Sequence, residues 1–371
     1  MAKRIEKGSL LLLVALAAVT VGAAQQDPLG GLVNGLLGGQ PKPVPVVDGG
    51  YTDKIRDAVR GVVVENKRDV APGLVRLLFH DCFVTGCDGS VLLESTPKNP
   101  RGTTEKNAPK NDHLRGMELL QEIRDAIFKA ADKKNVSCAD AIVFGAREAT
   151  FLLSNGKIEY PIDGPGRKDG VISSKQDAEN TLPGATDNFE KLKRSFLAKD
   201  FTVGELVALS ATHSVGVCHK PSFVDRLNLA LSTPEVHQID PDYQKVIIEE
   251  SANANDNVAF KNNLRDMGKP AVDSSRFEEK ANEKVDMTAA NVLDSSYYSF
   301  NLQNMVRFTS DWELRNDTSS SDDNAGTFLE SFKVHEAWMT VFMQAMTKLS
   351  KLKSNGPFEA KFRQDCTRTN P

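Results

Sequence analysis

The stretch of the chain best suited to chemistry is residues 74–93, LVRLLFHDCFVTGCDGSVLL, which carries an arginine and a histidine four positions apart. At this spacing Arg76 and His80 share one helical face, with Phe79 next to the histidine. An exposed polar helix face would explain the spacing alone. However, four apolar neighbours indicate a buried helix: Leu74, Val75, Leu77 and Leu78. In a buried helix an arginine and a histidine need a partner or a chemical task, and histidine is the usual proton-transfer group.

Oxygen donors follow the histidine directly, at mostly alternate positions around a turn that contains glycine. Side-chain and main-chain oxygens spaced in this way suit a hard cation such as calcium, with five candidate ligands: Asp81, Val84, Gly86, Asp88 and Ser90. A polar turn without an ion is the simpler alternative. Cys82 and Cys87 flank this loop and could close it as a short disulfide.

The rest of the chain must position these residues mainly with helices. From Tyr51 onward apolar residues recur at three- and four-residue spacing, which predicts helices, whereas signals for strands are sparse. Long loops rich in glycine, proline, asparagine and aspartate separate the helices at residues 94–113, 154–187 and 315–326. The pattern predicts an all-α fold with functional or ion-organised loops.

The N-terminus has the pattern of a secretory signal peptide over residues 1–24, where basic residues precede an apolar run and small residues follow it. Residues 25–50 are rich in glycine and proline and are interpreted as an extended arm or linker before a domain at residues 51–371. No second apolar stretch could serve as a membrane anchor. We therefore expect a secreted protein of the extracellular space or cell wall, with the vacuole as a further possible destination.

The charge balance bears on nucleic-acid binding, and the number of cysteines bears on disulfide pairing in an oxidising compartment. The chain has 46 lysines and arginines against 50 aspartates and glutamates, a formal charge of -4 that argues against nucleic-acid binding. Five cysteines leave at least one thiol unpaired within the chain or paired with another molecule. Asn135 and Asn316 lie in sequons for N-glycosylation.

The segment RLLFHDCFVTGCDGSVLL closely resembles the distal helix and calcium loop of the secreted plant (class III) haem peroxidases. A second segment, ELVALSATHSVG at residues 205–216, resembles the proximal segment of that family and places His213 at the position of the haem-iron ligand. The resemblance extends from about Tyr51 to Cys366. It implies one haem b held between a distal half, about 51–165, and a proximal half, about 166–371, and one or two calcium ions.

The resemblance also implies roles for individual residues. His80 and Arg76 would cleave the O–O bond of hydrogen peroxide, with His80 oriented by Asn111, which is in turn held by the Glu105 carboxylate. His213 would bind the iron and donate its other N–H to Asp311. A monomeric enzyme that oxidises small phenolic donors in one-electron steps is the expected result, without nucleic acid as a partner.

The chain departs from this family in its cysteines. The resemblance implies the pairs Cys82–Cys87 and Cys138–Cys366. It leaves Cys218 as a free thiol, for which we prefer an inert buried state over an intermolecular link or a redox role. Both ends of another family disulfide are absent, at Asp132 and near Tyr51, which is expected to cost about 2 to 5 kcal/mol unless the loss is compensated.

Two further departures concern the proximal calcium and the substrate entrance. The proximal ligands would be Ser214, Asp286, the Val292 carbonyl and Asp294, but Ala289 stands where a threonine is expected. Near the entrance for the aromatic donor a proline of the family is replaced by Gly164, which leaves two candidates for the rim: Pro161 and Pro165.

A protein that keeps the fold but has little turnover, and binds a cell wall through the arm or Cys218, is the alternative from a different class. The altered rim and the missing disulfide motivate it. An intracellular ascorbate-type peroxidase is a third hypothesis, which the signal peptide, the disulfide and the calcium loop disfavour.

Overall fold

Helices make up nearly all the regular structure in the computed structural model, which describes residues 50–65, 69–97, 99–132, 136–233, 238–267, 290–320 and 324–371. The predicted signal peptide and nearly all of the arm lie outside these residues, as does Asn135. Two short strands, β1 (Val217–His219) and β2 (Ala259–Lys261), pair antiparallel with Cys218 opposite Phe260. The expected all-α fold is confirmed.

The first half is built from four packed helices: α1 (Asp53–Glu65), α2 (Ala71–Thr85), α3 (Leu120–Ala130) and α4 (Cys138–Leu153). Helix α4 contacts the other three and is buried along most of its length. It begins at a reciprocal cap in which Asp140 N–H donates to Ser137 Oγ at 2.9 Å and Ser137 N–H donates to Asp140 Oδ2 at 3.2 Å. This cap fixes the start of the helix on which α2 packs.

The second half contains further helices: α5 (Lys175–Thr181), α6 (Phe189–Leu197), α7 (Val203–Ser210), α8 (Pro241–Ser251), α9 (Ser296–Leu302), α10 (Thr309–Glu313), α11 (Ala325–Ser331) and α12 (His335–Leu349). Helices α6, α11 and α12 pack on α7. Helix α7 also begins at a reciprocal cap, between Thr202 and Glu205. Trp338 of α12 donates to the carbonyl of Ala208 at 3.1 Å. One apolar core runs through both halves.

Two disulfides are present among the described cysteines, and both confirm the expected pairs. Cys82 bonds to Cys87, and Cys138 at the start of α4 bonds to Cys366 near the C-terminus. Cys218 is the free cysteine among these residues and is buried. Within the part of the chain that the structure describes, no helix is long and apolar enough to cross a membrane.

The chain holds α1 in place without the missing disulfide. Near the two positions of that disulfide, Lys54 forms an ion pair with Asp132 at 3.1 Å, but the two side chains are 64% and 84% exposed. A buried carboxylate makes the stronger connection: Glu148 of α4 accepts hydrogen bonds from Tyr51 Oη at 2.9 Å, Arg60 Nε at 2.6 Å and Arg147 Nη1 at 2.5 Å. Exposed ion pairs contribute little, whereas a buried carboxylate with three donors is costly to remove.

We predict that Glu148→Gln lowers the free energy of unfolding by about 3 kcal/mol, because it removes the buried charge that pairs with Arg60 and Arg147 and leaves them only the more exposed Glu159. Asp132→Asn, the control for the exposed ion pair, should change it by less than about 0.5 kcal/mol. Urea unfolding followed by circular dichroism measures both. An equal loss in the two variants would contradict the assignment of Glu148 as the connection that replaces the disulfide.

Candidate active site

One stripe of α2 is left partly uncovered by the rest of the protein. Between Ala71 and Val84 all residues are buried except four that follow one helical face. The four half-buried residues are Pro72, Arg76, Phe79 and His80. The helix begins with proline in its first turn and ends before Gly86, whose positive φ of 99° and close approach to the backbone at Lys353 leave no room for a side chain. The chain thus presents the predicted arginine and histidine together on an accessible stripe.

A hydrogen bond fixes the tautomer of His80. Its Nδ1 lies 2.5 Å from Asn111 Oδ1, and because the side-chain oxygen of asparagine only accepts, Nδ1 carries the proton. Nε2 is then an acceptor and receives a hydrogen bond from Arg76 Nε at 3.2 Å. Burial, followed by the charge of Arg76, lowers the pKa of His80 to about 3, so that the imidazole is neutral at physiological pH.

The expected role of the Glu105 carboxylate in holding Asn111 is wrong. Asn111 Nδ2 donates at 2.7 Å to the main-chain carbonyl of Glu105 instead of its side chain. The turn Glu105–Asn107 is followed by the turn Pro109–Asn111, and this backbone path places the Glu105 carbonyl, instead of its carboxylate, next to the Asn111 side chain. Among the described residues neither carboxylate oxygen of Glu105 has a hydrogen-bond partner.

The loop that carries Asn111 also holds Arg76. The guanidinium donates from Nη2 to the carbonyl of Lys110 at 3.0 Å and from Nη1 to the carbonyl of Asp112 at 3.2 Å. Lys110 fastens this loop to α5, because its Nζ donates to the Glu179 carbonyl at 2.7 Å and also to the Leu182 carbonyl. The sequence analysis missed Lys110, since a lysine in a polar loop carries no signal of such an anchor.

His213 lies on a 3-10 turn, Ala211–Ser214, directly after α7. Its Nδ1 is 2.9 Å from Asp311 Oδ1, which leaves Nε2 as the available ligand atom. The side chain is 38% exposed although the neighbouring residues Ala211 and Ser214 are buried. This partial exposure places Nε2 at an uncovered surface, where a metal-binding imidazole could reach its metal.

Two residues that the sequence analysis did not identify hold Asp311. Tyr297 Oη donates to Asp311 Oδ1 at 3.0 Å, and Asn301 Nδ2 donates to the Asp311 carbonyl at 2.7 Å. Both lie on α9, four residues apart, and therefore face Asp311 together. The ring of Phe308 packs edge-on against His213 with 4.9 Å between the ring centroids.

The proximal turn and the distal stripe lie side by side. Gly216 has a positive φ of 85°, and a Cβ added to it would lie 3.2 Å from the Cβ of Pro72, at the start of the stripe. His113 and His219 stack near Arg76, with 3.6 Å between their ring centroids. The partly uncovered faces that hold His80 and His213 therefore belong to adjoining parts of the fold.

Three buried carboxylates cluster at the expected distal calcium loop. Burial and the charge of Asp88 raise the pKa of Asp81, and burial also raises the pKa values of Asp88 and Glu105. Arg363, which donates to the Asp88 and Gly89 carbonyls, lowers the pKa values of Asp81 and Asp88 only in part. Buried acidic oxygens, two of them unpartnered on Glu105, fit a hard cation.

The donor set of this loop depends on hydroxyl and main-chain oxygens as well as carboxylates. Ser90 Oγ lies 3.3 Å from Thr85 Oγ1, and the Val84 carbonyl accepts a hydrogen bond from Lys199 at 2.9 Å, which leaves it a second lone pair. In the residues that the structure describes, no three His, Cys, Asp or Glu side chains are arranged to hold a metal ion. A cation here would need the Val84, Gly86 and Ser90 oxygens beside the carboxylates.

The expected proximal calcium ligands have other partners. Arg265 donates to Asp294 Oδ2 at 2.6 Å and to the Val292 carbonyl at 2.7 Å, and Ser214 Oγ accepts the Asp294 N–H at 3.3 Å. Asp286 and Ala289 lie outside the described residues. The rim candidates Pro161 and Pro165 are both half-buried on either side of Gly164 and stay a prediction.

Comparisons with known proteins agree with this geometry. The chain matches the peroxidase family model over residues 55–324. It is 34% identical to Peroxidase 2 of Zea mays over 326 residues, which cover 86% of this chain and 87% of that protein. It is 35% identical to Peroxidase 5 of Vitis vinifera over 304 residues, which cover 80% of this chain and 81% of that protein.

The chain belongs to the plant class III haem peroxidase family. Peroxidase 24 of Arabidopsis thaliana, 31% identical over 326 residues, is a further relative. This membership makes the protein an oxidoreductase that acts on hydrogen peroxide, and it confirms the family expected from residues 74–93 and 205–216.

Cys218 of this peroxidase lies on β1, where burial raises the pKa of its thiol to about 12. We predict that a thiol reagent such as Ellman's reagent does not modify the native protein at pH 8, because only about one thiol in ten thousand is ionised. After unfolding without reductant, one thiol per chain should react. Fast reaction of the native protein, or none after unfolding, would show a reactive or paired cysteine.

Proposed function

We propose that this protein is a secreted haem peroxidase that reduces hydrogen peroxide and oxidises small phenolic donors in one-electron steps. The observation that carries the proposal is that two histidines have the same hydrogen-bond arrangement at Nδ1. His80 and His213 each have Nδ1 at an oxygen acceptor, Asn111 and Asp311, so that Nε2 is the basic atom of each ring; in His80 it also accepts a hydrogen bond from Arg76. One imidazole is suited to proton transfer and the other to binding iron.

On the distal side His80 moves the proton. Its neutral Nε2 takes a proton from one oxygen of hydrogen peroxide and delivers it to the other, so that the second oxygen leaves as water. Asn111 keeps Nδ1 protonated throughout, which holds Nε2 as the basic atom. The low pKa of about 3 keeps His80 unprotonated and able to accept at neutral pH.

Arg76 stabilises the negative charge that develops on the leaving oxygen as the O–O bond breaks. Burial, followed by the charge of Arg115, lowers the pKa of Arg76 to about 10, which leaves the guanidinium charged at neutral pH. Its contacts with the carbonyls of Lys110 and Asp112 hold it beside His80. The haem, when bound, supplies the two-electron reduction of peroxide and the two one-electron oxidations of donor.

On the proximal side His213 Nε2 would hold the haem iron. The hydrogen bond to Asp311 makes the imidazole a stronger electron donor. Tyr297 donates to the same carboxylate oxygen and so moderates the charge that Asp311 presents to His213. The partial exposure of His213 and of the α2 stripe leaves the surface that a haem would cover.

The remaining parts of the proposal concern cofactors and location. We expect one calcium ion in the distal loop at Asp81, Val84, Gly86, Asp88 and Ser90, where the buried carboxylates of Asp81 and Asp88 support it. Secretion rests on the pattern of residues 1–24, and Asn316 is exposed, as glycosylation requires. Burial of Cys218 removes one of the two anchors suggested for a binding protein with little turnover.

The test is stopped-flow reaction of the haem-loaded protein with one equivalent of hydrogen peroxide. We predict that His80→Leu slows this step by about 10² to 10⁴-fold and Asn111→Val by about 10 to 100-fold, while both variants retain haem. His335→Leu serves as a control, because this histidine contacts Ser295 and Trp338 instead of the site.

Wild-type protein that binds haem but does not react with peroxide would support the binding alternative. An unchanged rate in His80→Leu would contradict the proton-transfer role even in an active enzyme. We expect His213→Ala to lose haem and His80→Leu to retain it, because only His213 is assigned to bind the iron.

A further inference from the structure

Two of the oxygens expected to bind a proximal calcium ion already bind a cation that belongs to the chain. Arg265 Nη1 is 2.6 Å from Asp294 Oδ2, and Arg265 Nη2 is 2.7 Å from the Val292 carbonyl oxygen. The Arg265 side chain is 0% exposed, and the Asp294 side chain is 21% exposed. Paired N–H groups of a guanidinium thus span the carboxylate and the carbonyl in place of a metal ion.

Among the described residues of this cradle, Ser214 and the second oxygen of Asp294 are also in use, whereas Asp286 lies outside the described residues. Ser214 Oγ accepts the Asp294 N–H at 3.3 Å, and the second carboxylate oxygen, Asp294 Oδ1, accepts the Ser296 N–H at 3.0 Å. Calcium needs six to eight oxygens at about 2.3 to 2.6 Å. A calcium ion that uses Asp294 Oδ2 would have to displace the guanidinium, because Arg265 already forms a charge-assisted hydrogen bond with that oxygen at 2.6 Å.

Further hydrogen bonds of the surrounding residues fix the position of Arg265. Its main-chain N–H donates to Asn263 Oδ1 at 3.0 Å, and Asn263 Nδ2 donates to Ser296 Oγ at 3.1 Å. Its Nε lies 3.5 Å from Asp266 Oδ1. The guanidinium is therefore located between Asp266 and Asp294, where the buried charge has acidic partners.

We infer that the Arg265 guanidinium occupies the proximal cation position of this protein and that calcium does not bind there. The arginine joins Val292 and Asp294 to each other, and Asp294 is joined to Ser214, the residue after His213. It thereby ties the proximal turn to the segment that leads into α9 and Tyr297. The inference goes beyond the proposed function and does not depend on turnover.

The deciding measurement is the calcium content of the haem-loaded protein. The protein is equilibrated with calcium, freed of unbound ion by gel filtration and analysed by atomic emission. Asp88→Asn removes a donor of the distal loop, and Asp294→Asn removes the proximal carboxylate. We expect one calcium per chain in wild type and in Asp294→Asn, and none in Asp88→Asn.

Two calcium ions per wild-type chain would overturn the inference, and so would loss of an ion in Asp294→Asn. A wild-type count of two or of none decides even if a variant fails to fold, and a single ion is assigned by whether Asp294→Asn keeps it. Wild-type protein without calcium would refute the distal ion of the proposed function and would still support the absence of a proximal one.

The role of the guanidinium is tested separately by thermal unfolding. Arg265→Met keeps the length of the side chain and removes its charge, and we expect the melting temperature to fall by about 10 °C. Glu250→Gln, which changes the partner of another fully buried arginine, Arg307, is the control for altering an ion pair outside the cradle. An Arg265→Met protein that melts with wild type would overturn the structural role, whatever the control shows.

Discussion

The hydrogen bond at Nδ1 of each of two histidines is the constraint on which the rest of the site depends. An imidazole whose Nδ1 donates to an oxygen can use only Nε2 as a base or a ligand. The acceptors are themselves fixed, Asn111 by the Glu105 carbonyl and Asp311 by Tyr297 and Asn301. The same tautomer thus supports the two different roles proposed for His80 and His213.

Charged side chains connect the segments around the site to the rest of the fold. Lys110 anchors the loop of Asn111 and Arg76 to α5, Glu148 connects α1 to α4, and Arg265 joins the segment before α9 to the turn of His213. Each uses a charged side chain with several hydrogen-bond partners, which is the arrangement in which a buried charge is tolerated. Glu148 makes such a connection near the missing disulfide, and Arg265 does so at the proximal calcium position.

The family, the helical fold, both disulfides and the site histidines could be predicted from the sequence, because residues 74–93 and 205–216 carry long motifs and the helices have clear periodicity. The partners Tyr297, Lys110 and Arg265 could not. Each meets its partner across 14 or more residues through tertiary packing, for which a lone tyrosine, lysine or arginine gives no local signal. The holder of Asn111 was misassigned for a related reason: a motif identifies Glu105 but not which of its oxygens accepts.

The central claim is that Asp311, through Nδ1, controls what His213 offers at Nε2. It is tested most directly by resonance Raman spectroscopy of the ferrous haem-loaded protein, comparing the iron–histidine stretching band of wild type with that of Asp311→Asn. Replacing the carboxylate with an amide weakens the acceptor, so the account predicts a band at lower frequency in the variant, with haem still bound. The same frequency in both proteins would contradict it.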